Sequence, residues 1–201
     1  MSKRVLIACE ESGIVTAAMR NVGVEAWSCD ILPTSGTLPE YHIQGDVLDI
    51  LKNGWDAMIA FPPCTHLSVS GARWWPEKQA DGRQQAAIRF FMALAKAPIE
   101  RIAVENPVGI ISTVWRKPDQ CVQPWQFGHD ASKRTCFWLK GFPLLKPTEI
   151  IIKDRYANQT PSGRNNLPPT LPDRARLRSK TYTGIARAMA EQWGPLLRGD
   201  K

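Results

Sequence analysis

The 201-residue sequence predicts an α/β protein with a mostly parallel sheet and helices on both faces of that sheet. Short apolar, β-rich runs alternate with helix-forming segments, and this alternation favours consecutive βαβ units. Acidic or nucleophilic residues follow these runs, and the carboxyl ends of parallel strands meet at one edge of a sheet. We therefore expect one rim to bring together the residues Glu10, Asp30, Asp46, Cys64 and Glu105.

The first strand is predicted at residues 4–9, and a helix follows at 14–22, with Gly23 available to end it. A second strand at 24–29 leads into Asp30. This order of strand, loop, helix, strand and acid is the plan of a nucleotide-binding unit, in which the acid binds a ribose. The glycine fingerprint of such units is poor, because the loop after the first strand holds a single glycine.

The middle of the chain continues the alternation. Its predicted strands and helices are a strand at 41–47, a helix at 47–51, a strand at 55–61, a helix at 84–96 and a strand at 102–104. The strand at 55–61 runs into Pro62 and Pro63, directly before Cys64. Proline fixes its own backbone torsion and restricts the residue before it, so this cysteine has the rigid support that a nucleophile needs.

The last part of the chain predicts less regular structure. Strand-like segments lie at 125–127 and 136–139, and residues 143–172 contain six prolines and predict a long loop or a small irregular lobe. A closing helix is predicted at 183–193. We expect three parts, namely a catalytic and cofactor-binding domain at 1–145, a proline-rich basic segment at 146–178 and a C-terminal helix at 179–201 that packs back on the first part.

Composition is typical of one globular domain, with 43% hydrophobic and 22% charged residues. No apolar run approaches the roughly 18 residues of a membrane span. Met1 to Arg4 lead directly into a strand-like run rather than into the apolar core of a signal peptide. These features predict a soluble cytoplasmic protein that does not bind membranes.

The five cysteines form no CxxC pair, and their number is odd. This pattern argues against a zinc site and against a disulfide framework. Apart from Cys64, we expect the cysteines to be small buried hydrophobic residues. A cysteine hydrolase would need a histidine base, and the nearest histidine, His66, would point away from Cys64 in an extended segment.

The positive charge is concentrated near the C-terminus. Residues 151–201 hold ten Lys or Arg and four acids, which leaves +6 of the total net charge of +7 in that segment. Such a segment suggests a polyanionic partner, most simply a nucleic acid. A solvated basic face without a partner would give the same pattern, and charge alone does not distinguish the two.

Several motifs resemble those of the cytosine-5 DNA methyltransferases. The sequence FPPCTHLSVSG at 61–71 resembles the Pro-Cys nucleophile motif of that family, and AVENPVG at 103–109 resembles its glutamate motif. Asp30 and Asp46 fall where the ribose- and adenine-binding acids of the family would lie. The weaker matches are a basic motif, Ser132-Lys133-Arg134, and a closing cofactor motif at 181–186. The resemblance covers most of residues 4–145 and, weakly, 176–193.

The resemblance implies a Rossmann-like S-adenosylmethionine-dependent methyltransferase fold and methylation of carbon 5 of cytosine in DNA. It assigns the covalent attack on carbon 6 to Cys64, the hydrogen bond to the ring nitrogen to Glu105, and a contact with the base carbonyl to Arg134. No metal takes part in this chemistry. The residues implied to bind the cofactor S-adenosylmethionine are Glu10, Glu11, Ser12, Gly13, Asp30, Asp46, Pro62 and Thr183.

The nucleic-acid partner is expected to be DNA, with the loop 65–82 closing over a flipped base. The residues expected to contact it are Ser68, Ser70, Arg73, Lys133, Arg174, Arg176 and Arg178. Only the short segment 146–178 is available for target recognition, so we expect low sequence specificity and a compact, phage- or prophage-type member. Two alternatives stay open: the same chemistry on RNA or a free cytosine nucleotide, and a non-catalytic nucleic-acid-binding protein on a methyltransferase scaffold.

Overall fold

The computed structural model describes residues 3–162 and 179–198, and these form one seven-stranded sheet with the order β3-β2-β1-β4-β5-β7-β6. The strands are β1 (Arg4–Ala8), β2 (Glu25–Asp30), β3 (His42–Gln44), β4 (Ala57–Ala60), β5 (Arg101–Asn106), β6 (Gln120–Val122) and β7 (Thr135–Lys140). Strands β1 to β5 are parallel, and β7 runs antiparallel to both of its neighbours. The predicted mostly parallel sheet is confirmed.

Six α-helices connect or cover the strands of the described chain. They are α1 (Ile14–Asn21), α2 (Val47–Ile50), α3 (Trp75–Ala80), α4 (Arg83–Ala95), α5 (Ile111–Val114) and α6 (Thr183–Arg198). Single 3-10 turns lie at Pro39–Tyr41, Val69–Trp74 and Pro124–Gln126. The helices predicted at 14–22, 47–51, 84–96 and 183–193 are all present, and the last extends five residues further along the chain than predicted.

The strands bury both of their faces, as expected of a parallel sheet covered by helices. In β1, Val5 and Ile7 pack into one apolar cluster together with side chains of α1 and α6. Leu6 and Ala8 point the other way, into a second cluster that includes Phe91 of α4. This alternation follows from the period of two along a strand. The prediction of helices on both faces is confirmed.

The final helix α6 is fastened to the sheet through Trp193, which is fully buried. The indole ring stacks on Phe142 with ring centroids 4.6 Å apart, and its Nε1 donates a hydrogen bond to the Pro143 carbonyl at 2.9 Å. Further along the helix, Arg198 donates to the carbonyl of Val22 at the end of α1. Helix α6 therefore closes one face of the sheet beside α1.

Two local predictions were wrong. The segment 125–127, predicted as strand-like, is a 3-10 turn, because Pro124 opens it and Gln123 and Gln126 cap it reciprocally. The edge strand β6 lies just before it instead. Cys121 and Cys136 were expected as separate buried thiols, but they are directly opposite each other in the β6–β7 register and form a disulfide.

Within the proline-rich segment, residues 146–162 are described, and they dock on the loop between β6 and β7. The Ile151 amide donates to the Trp125 carbonyl at 2.8 Å, and the Tyr156 ring stacks on the Trp125 ring. The side chain of Asn158 exchanges hydrogen bonds with both backbone groups of Ser132 at 2.9 Å. This part of the segment is therefore tied to the chain just before β7.

Within residues 3–162 and 179–198, no helix is both long and apolar enough to cross a membrane. Over the same residues, no three His, Cys, Asp or Glu side chains are grouped so that they could hold a metal ion.

The packing of α6 predicts the effect of truncating Trp193. Replacing this residue by alanine removes a stacked ring and a hydrogen-bond donor from the core, and we expect the free energy of unfolding to fall by about 3 to 5 kcal/mol. Urea denaturation followed by circular dichroism measures the change. The matched control is Leu196→Ala, one turn away on the exposed side of α6, for which a change of about 0.5 kcal/mol or less is expected. Equal losses in both variants would contradict the assignment of Trp193 as the anchor.

Candidate active site

Cys64 and Glu105 lie at the ends of two neighbouring parallel strands. Ala60 of β4 is in register with Val104 of β5, so the chain reaches the edge of the sheet at the same level in both strands. Glu105 is the next residue of β5, and Cys64 follows β4 after Pro62 and Pro63. The predicted meeting of these two strand ends at one rim is therefore present in the fold.

One buried hydrogen bond joins the two strand ends directly. The Nδ2 atom of Asn106 donates to the carbonyl of Pro62 at 2.9 Å, across 44 residues of sequence. Asn106 is 1% exposed, and Pro62 is also buried. A hydrogen bond of this kind is expensive to lose, because the partner left behind is shielded from water. The bond therefore fixes the start of the Cys64 segment relative to Glu105.

A second connection joins the segments that follow the two strands. The Val69 amide donates to the Val108 carbonyl at 3.0 Å, and the Ile110 amide donates to the Leu67 carbonyl at 2.9 Å. Gly109 lies between these two bonds, and a Cβ atom at this position would fall 2.1 Å from the Leu67 carbonyl oxygen. Only glycine therefore allows the backbones to come this close.

We call residues 62–74 the Cys64 loop. Its first part is a tight turn, in which the amides of Leu67 and Ser68 both donate to the Cys64 carbonyl at 3.0 Å. The Cys64 side chain is exposed at this turn, as a nucleophile must be. Ser68 then begins the 3-10 turn Val69–Trp74 by accepting a hydrogen bond from the Ser70 amide.

Two of the three nucleic-acid contacts predicted in the Cys64 loop lie on its outer side. Ser70 and Arg73 are exposed, whereas Ser68 is buried by its contacts with the segment after β5. The guanidinium of Arg73 lies 4.8 Å from the ring centroid of Trp74, and half of the Trp74 surface is exposed. Arg73 and Trp74 therefore present a cation and an aromatic ring to solvent from the loop that carries Cys64.

The Glu105 carboxylate faces a small cavity between the sheet and the start of α6. The cavity is lined by Phe61, Glu105, Lys133, Thr135, Phe137, Thr181, Tyr182, Ile185 and Met189. Burial among these side chains raises the pKa of Glu105, although the nearby charge of Lys133 acts in the opposite direction. Glu105 consequently keeps its proton to higher pH than an ordinary glutamic acid, and a protonated carboxyl is a hydrogen-bond donor.

This cavity has a volume of about 10 Å³, which is close to the minimum that holds one water molecule. Glu105 itself is partly exposed to solvent.

The structure assigns different surroundings to the two basic residues before β7. Lys133 is partly buried and lines the Glu105 cavity, whereas the neighbouring Arg134 is exposed. The position of Lys133 depends on two anchors, since its amide donates to the Gln123 side chain at 2.9 Å and the preceding Ser132 is held by Asn158. Lys133 thus lines the Glu105 cavity and Arg134 does not, and the predicted contact of Arg134 with the base carbonyl stays a prediction.

The predicted ribose and adenine acids, Asp30 and Asp46, lie at the ends of β2 and β3. One carboxylate oxygen of Asp30 accepts from the Leu32 amide at 3.0 Å, and one of Asp46 accepts from the Leu48 amide at 2.9 Å. Both charges act on Cys9 at the end of β1, whose pKa is raised by burial first and then by Asp30 and Asp46. The three strand ends therefore meet in one acidic corner of the rim.

Glu10 lies in this corner, but its carboxylate is already used within the protein. It is 4% exposed and accepts hydrogen bonds from the amides of Val15 and Thr16, at 2.6 and 3.1 Å, and from the Thr16 hydroxyl at 2.6 Å. A carboxylate at this place complements the positive end of helix α1. Burial nevertheless raises the pKa of Glu10, against the effect of these hydrogen bonds.

The remaining residues of the predicted cofactor loop are Glu11, Ser12 and Gly13. The Glu11 carbonyl accepts bonds from Ser35 and Thr34, so the segment after β2 lies against this loop. Gly13 begins α1 with a left-handed φ of 64°, and Cys9 also has a positive φ, of 58°. The sharp bend at Cys9 turns the chain so that Glu10 can reach back to α1.

Thr183, predicted to bind the cofactor, lies at the start of α6 beside His129. Its hydroxyl is 3.4 Å from His129 Nε2, and the same nitrogen accepts the Gly184 amide at 2.8 Å. Thr183 lines a groove of about 580 Å³ between α1, α6 and the loop after β6. The three predicted nucleic-acid residues of the basic segment lie outside the described residues and are Arg174, Arg176 and Arg178.

Two residues that shape the site were not singled out from the sequence. Asn106 could have been found, because it adjoins Glu105 in a strand that is otherwise apolar, and a buried amide needs a partner. Lys78 of α3 is 7% exposed and donates to the Thr65 carbonyl at 2.7 Å, immediately after Cys64. Its sequence neighbours are polar, so no local pattern distinguished it from a surface lysine.

No protein-family model matches the chain, and no curated protein matches it. Among solved structures, it is similar to a protein described as a DNA modification methyltransferase encoded within a prophage (E. coli), with 17% identity and a TM-score of 0.49 over 75% of this chain and 52% of that one. It is also similar to the Dnmt2 methyltransferase of S. pombe, with 17% identity and a TM-score of 0.46 over 71% of this chain and 50% of that one.

A mutant DNMT2 of Spodoptera frugiperda has 16% identity and a TM-score of 0.46, over 75% of this chain and 54% of that chain. The chain thus spans about half the length of the solved structures it matches. In the sheet, β7 lies antiparallel between β5 and β6. The predicted Rossmann-like fold class, a mostly parallel sheet with helices on both faces, is confirmed.

The hydrogen bond between the strand ends can be tested by replacing Asn106 with alanine. The substitution leaves the Pro62 carbonyl buried without its donor, and we expect a loss of about 1 to 3 kcal/mol in the free energy of unfolding. Amide exchange measured by mass spectrometry should accelerate in the segments around residues 64 and 108. Exchange that increases equally over the whole sheet would contradict a local role of this bond.

The raised pKa of Glu105 predicts how stability depends on pH. Above the ordinary value of 4.5, the unfolded chain releases this proton more readily than the folded protein, so wild-type stability falls as pH rises toward the folded pKa. The side chain of Glu105→Gln cannot ionise. The free energy of unfolding of the variant, relative to that of the wild type, should therefore rise over this pH range, and the difference should become constant above the folded pKa. Thermal unfolding at a series of pH values measures the difference. Parallel curves for the two proteins would contradict the raised pKa.

Proposed function

We propose that this chain is a cytosine-5 methyltransferase that acts on DNA with low sequence specificity and forms a covalent adduct through Cys64. The proposal is supported above all by one observation: an exposed cysteine and a glutamic acid of raised pKa lie at adjacent strand ends, and a buried hydrogen bond ties those ends together. The motif resemblance supplies the reaction, and the Rossmann-like α/β fold is compatible with it.

The chemistry uses the two residues on opposite sides of one pyrimidine ring. The Cys64 thiolate adds to carbon 6, and the electron pair of the 5,6 double bond moves to carbon 5, which becomes nucleophilic. A protonated Glu105 donates a hydrogen bond to ring nitrogen 3 and stabilises the negative charge that develops there. Carbon 5 takes the methyl group as the bond between this methyl and the sulfonium sulfur of the donor breaks. Loss of the carbon-5 proton to water, with departure of the Cys64 sulfur, restores the aromatic ring.

Lys133 and Arg134 have complementary roles in this proposal. Lys133 lines the Glu105 cavity and would contact the base at its carbonyl edge or the adjacent phosphate. Arg134, which is exposed beside it, would bind the backbone of the nucleic acid. The segment 146–178 would serve as a minimal recognition region. Within its described part, Asn158 is hydrogen-bonded to the backbone of Ser132, directly before Lys133.

The acidic corner of the rim fits S-adenosylmethionine, which would supply an electrophilic methyl group on a sulfonium ion. Asp30 and Asp46 each use one carboxylate oxygen for a backbone amide, and the other oxygen remains for a ribose hydroxyl or the adenine amine. Ile31, which is 72% exposed next to Asp30, offers an apolar surface for the adenine ring. Because Glu10 caps α1, we assign the ammonium of the methionine part to Glu11.

The proposal is tested by incubation with tritiated S-adenosylmethionine and DNA, RNA or dCTP, with Cys64→Ser as the control. We expect label in DNA with the wild type and a loss of at least about a thousandfold in the variant, which lacks the nucleophile. DNA containing 5-fluorocytosine should trap the wild type covalently, because carbon 5 then carries no proton to release.

If label appears only in RNA or only in dCTP, that molecule is the substrate and the proposal of DNA as substrate is wrong. Label that persists with Cys64→Ser would contradict the covalent mechanism. Binding of DNA without label in any substrate would favour a non-catalytic nucleic-acid-binding protein. The enzyme would work in the cytoplasm of a bacterial or phage-infected cell.

A further inference from the structure

Lys78 is an unusual residue in this structure because its side chain is almost completely buried. It belongs to the short helix α3, and 7% of its surface is exposed. Lysine is rarely buried without a partner, since its ammonium group is strongly hydrated in water. The partner here is the backbone carbonyl of Thr65, to which Nζ donates at 2.7 Å.

The ammonium lies inside the Cys64 loop rather than at its surface. A Cβ atom built at Gly71 would be 3.3 Å from Nζ, so the loop folds over the charge from the other side. The Lys78 charge also contributes to the lowered pKa of His66, after the larger effect of burial. Lys78 therefore lies against the Cys64 loop at two places, the Thr65 carbonyl and Gly71.

A second side chain reinforces this attachment. Gln84 of α4 is 1% exposed and donates through Nε2 to the His66 carbonyl at 3.2 Å, while its Oε1 accepts from Gln79 at 2.9 Å. The carbonyls of Thr65 and His66 are consecutive, and both point toward α3 and α4. These helices thus hold the inner side of the Cys64 turn, whereas residues 108–110 hold its next three residues.

We propose that Lys78 is a positioning residue, whose buried ammonium fixes the turn that carries Cys64 in the orientation needed for attack on the base. A hydrogen bond from a charged donor is stronger than a neutral one, and it acts here on the peptide next to the nucleophile. Attack requires the sulfur at a defined place relative to carbon 6, and small displacements slow such steps strongly. The expected effect on catalysis rests on the function proposed above, whereas the positioning of the turn by Lys78 does not depend on it.

The test compares Lys78→Met with a matched control, Lys140→Met. Lys140 at the end of β7 also donates to a backbone carbonyl at 2.7 Å, that of Ile99, but it lies at the opposite end of the sheet from Cys64. The first measurement is amide exchange at Leu67, Ser68 and Gly71, whose protons bond within the Cys64 loop. We expect exchange at these amides to be about tenfold to a hundredfold faster in Lys78→Met, and unchanged in Lys140→Met.

The second measurement is the single-turnover rate of adduct formation on 5-fluorocytosine DNA. Lys78→Met should lower this rate by about tenfold to a hundredfold and change the dissociation constant for DNA by less than about threefold. A lysine that bound phosphate would instead weaken DNA binding and leave the adduct rate intact, which would overturn the proposal. Equal exchange in the two lysine variants would overturn it as well.

Gly71→Ala provides a second variant in case Lys78→Met does not fold. The added methyl group displaces Nζ without removing the charge, and we expect faster exchange at Leu67 and Ser68 and a slower adduct rate. Unchanged values would again overturn the proposal. If the wild type forms no adduct, the proposed function fails, and the exchange measurement alone decides whether Lys78 holds the turn.

Discussion

The candidate site depends on the connection between the ends of β4 and β5. The proposed chemistry needs a fixed separation between the Cys64 thiol and the Glu105 carboxyl group, which are 41 residues apart in sequence. Cys64 lies on the loop after β4, and Glu105 lies near the end of β5. The register of the two strands determines that both reach the edge of the sheet at the same height. The hydrogen bond from Asn106 to the Pro62 carbonyl then fixes the residues that follow β4. The close approach at Gly109 then extends this pairing into the loops. Together these contacts make the two strand ends a single support.

Burial gives Glu105 its chemical character, and the same burial limits access to it. Burial among the side chains that line the Glu105 cavity raises the pKa of the carboxyl group, which therefore keeps its proton to higher pH than an ordinary glutamic acid. Tyr182 and Lys133 belong to separate segments of the chain, and both line this cavity.

The sequence was informative where the determining forces are local. Short apolar runs that alternate with helix-forming segments placed the central strands, and with them the rim on which Cys64, Glu105 and the acids lie. It was less informative where a contact spans distant parts of the chain. Neighbouring basic residues at 133 and 134 look alike in sequence, but the bonds of Gln123 and Asn158 decide which of them faces Glu105. The cap formed by Glu10 and the burial of Lys78 likewise depend on how loops fold back, and no periodic pattern records this.

The acidic corner and the Cys64 loop follow one structural rule, in which a charged side chain is used to hold the backbone next to a functional group. Glu10 accepts hydrogen bonds from the amides of Val15 and Thr16 in α1 and so fixes the loop after β1. Lys78 donates a hydrogen bond to the Thr65 carbonyl, directly after Cys64. In both places a buried titratable side chain is hydrogen-bonded to the backbone, since Glu10 accepts from amides and Lys78 donates to a carbonyl. A short chain can build rigid loops in this way without adding a further layer of structure around them.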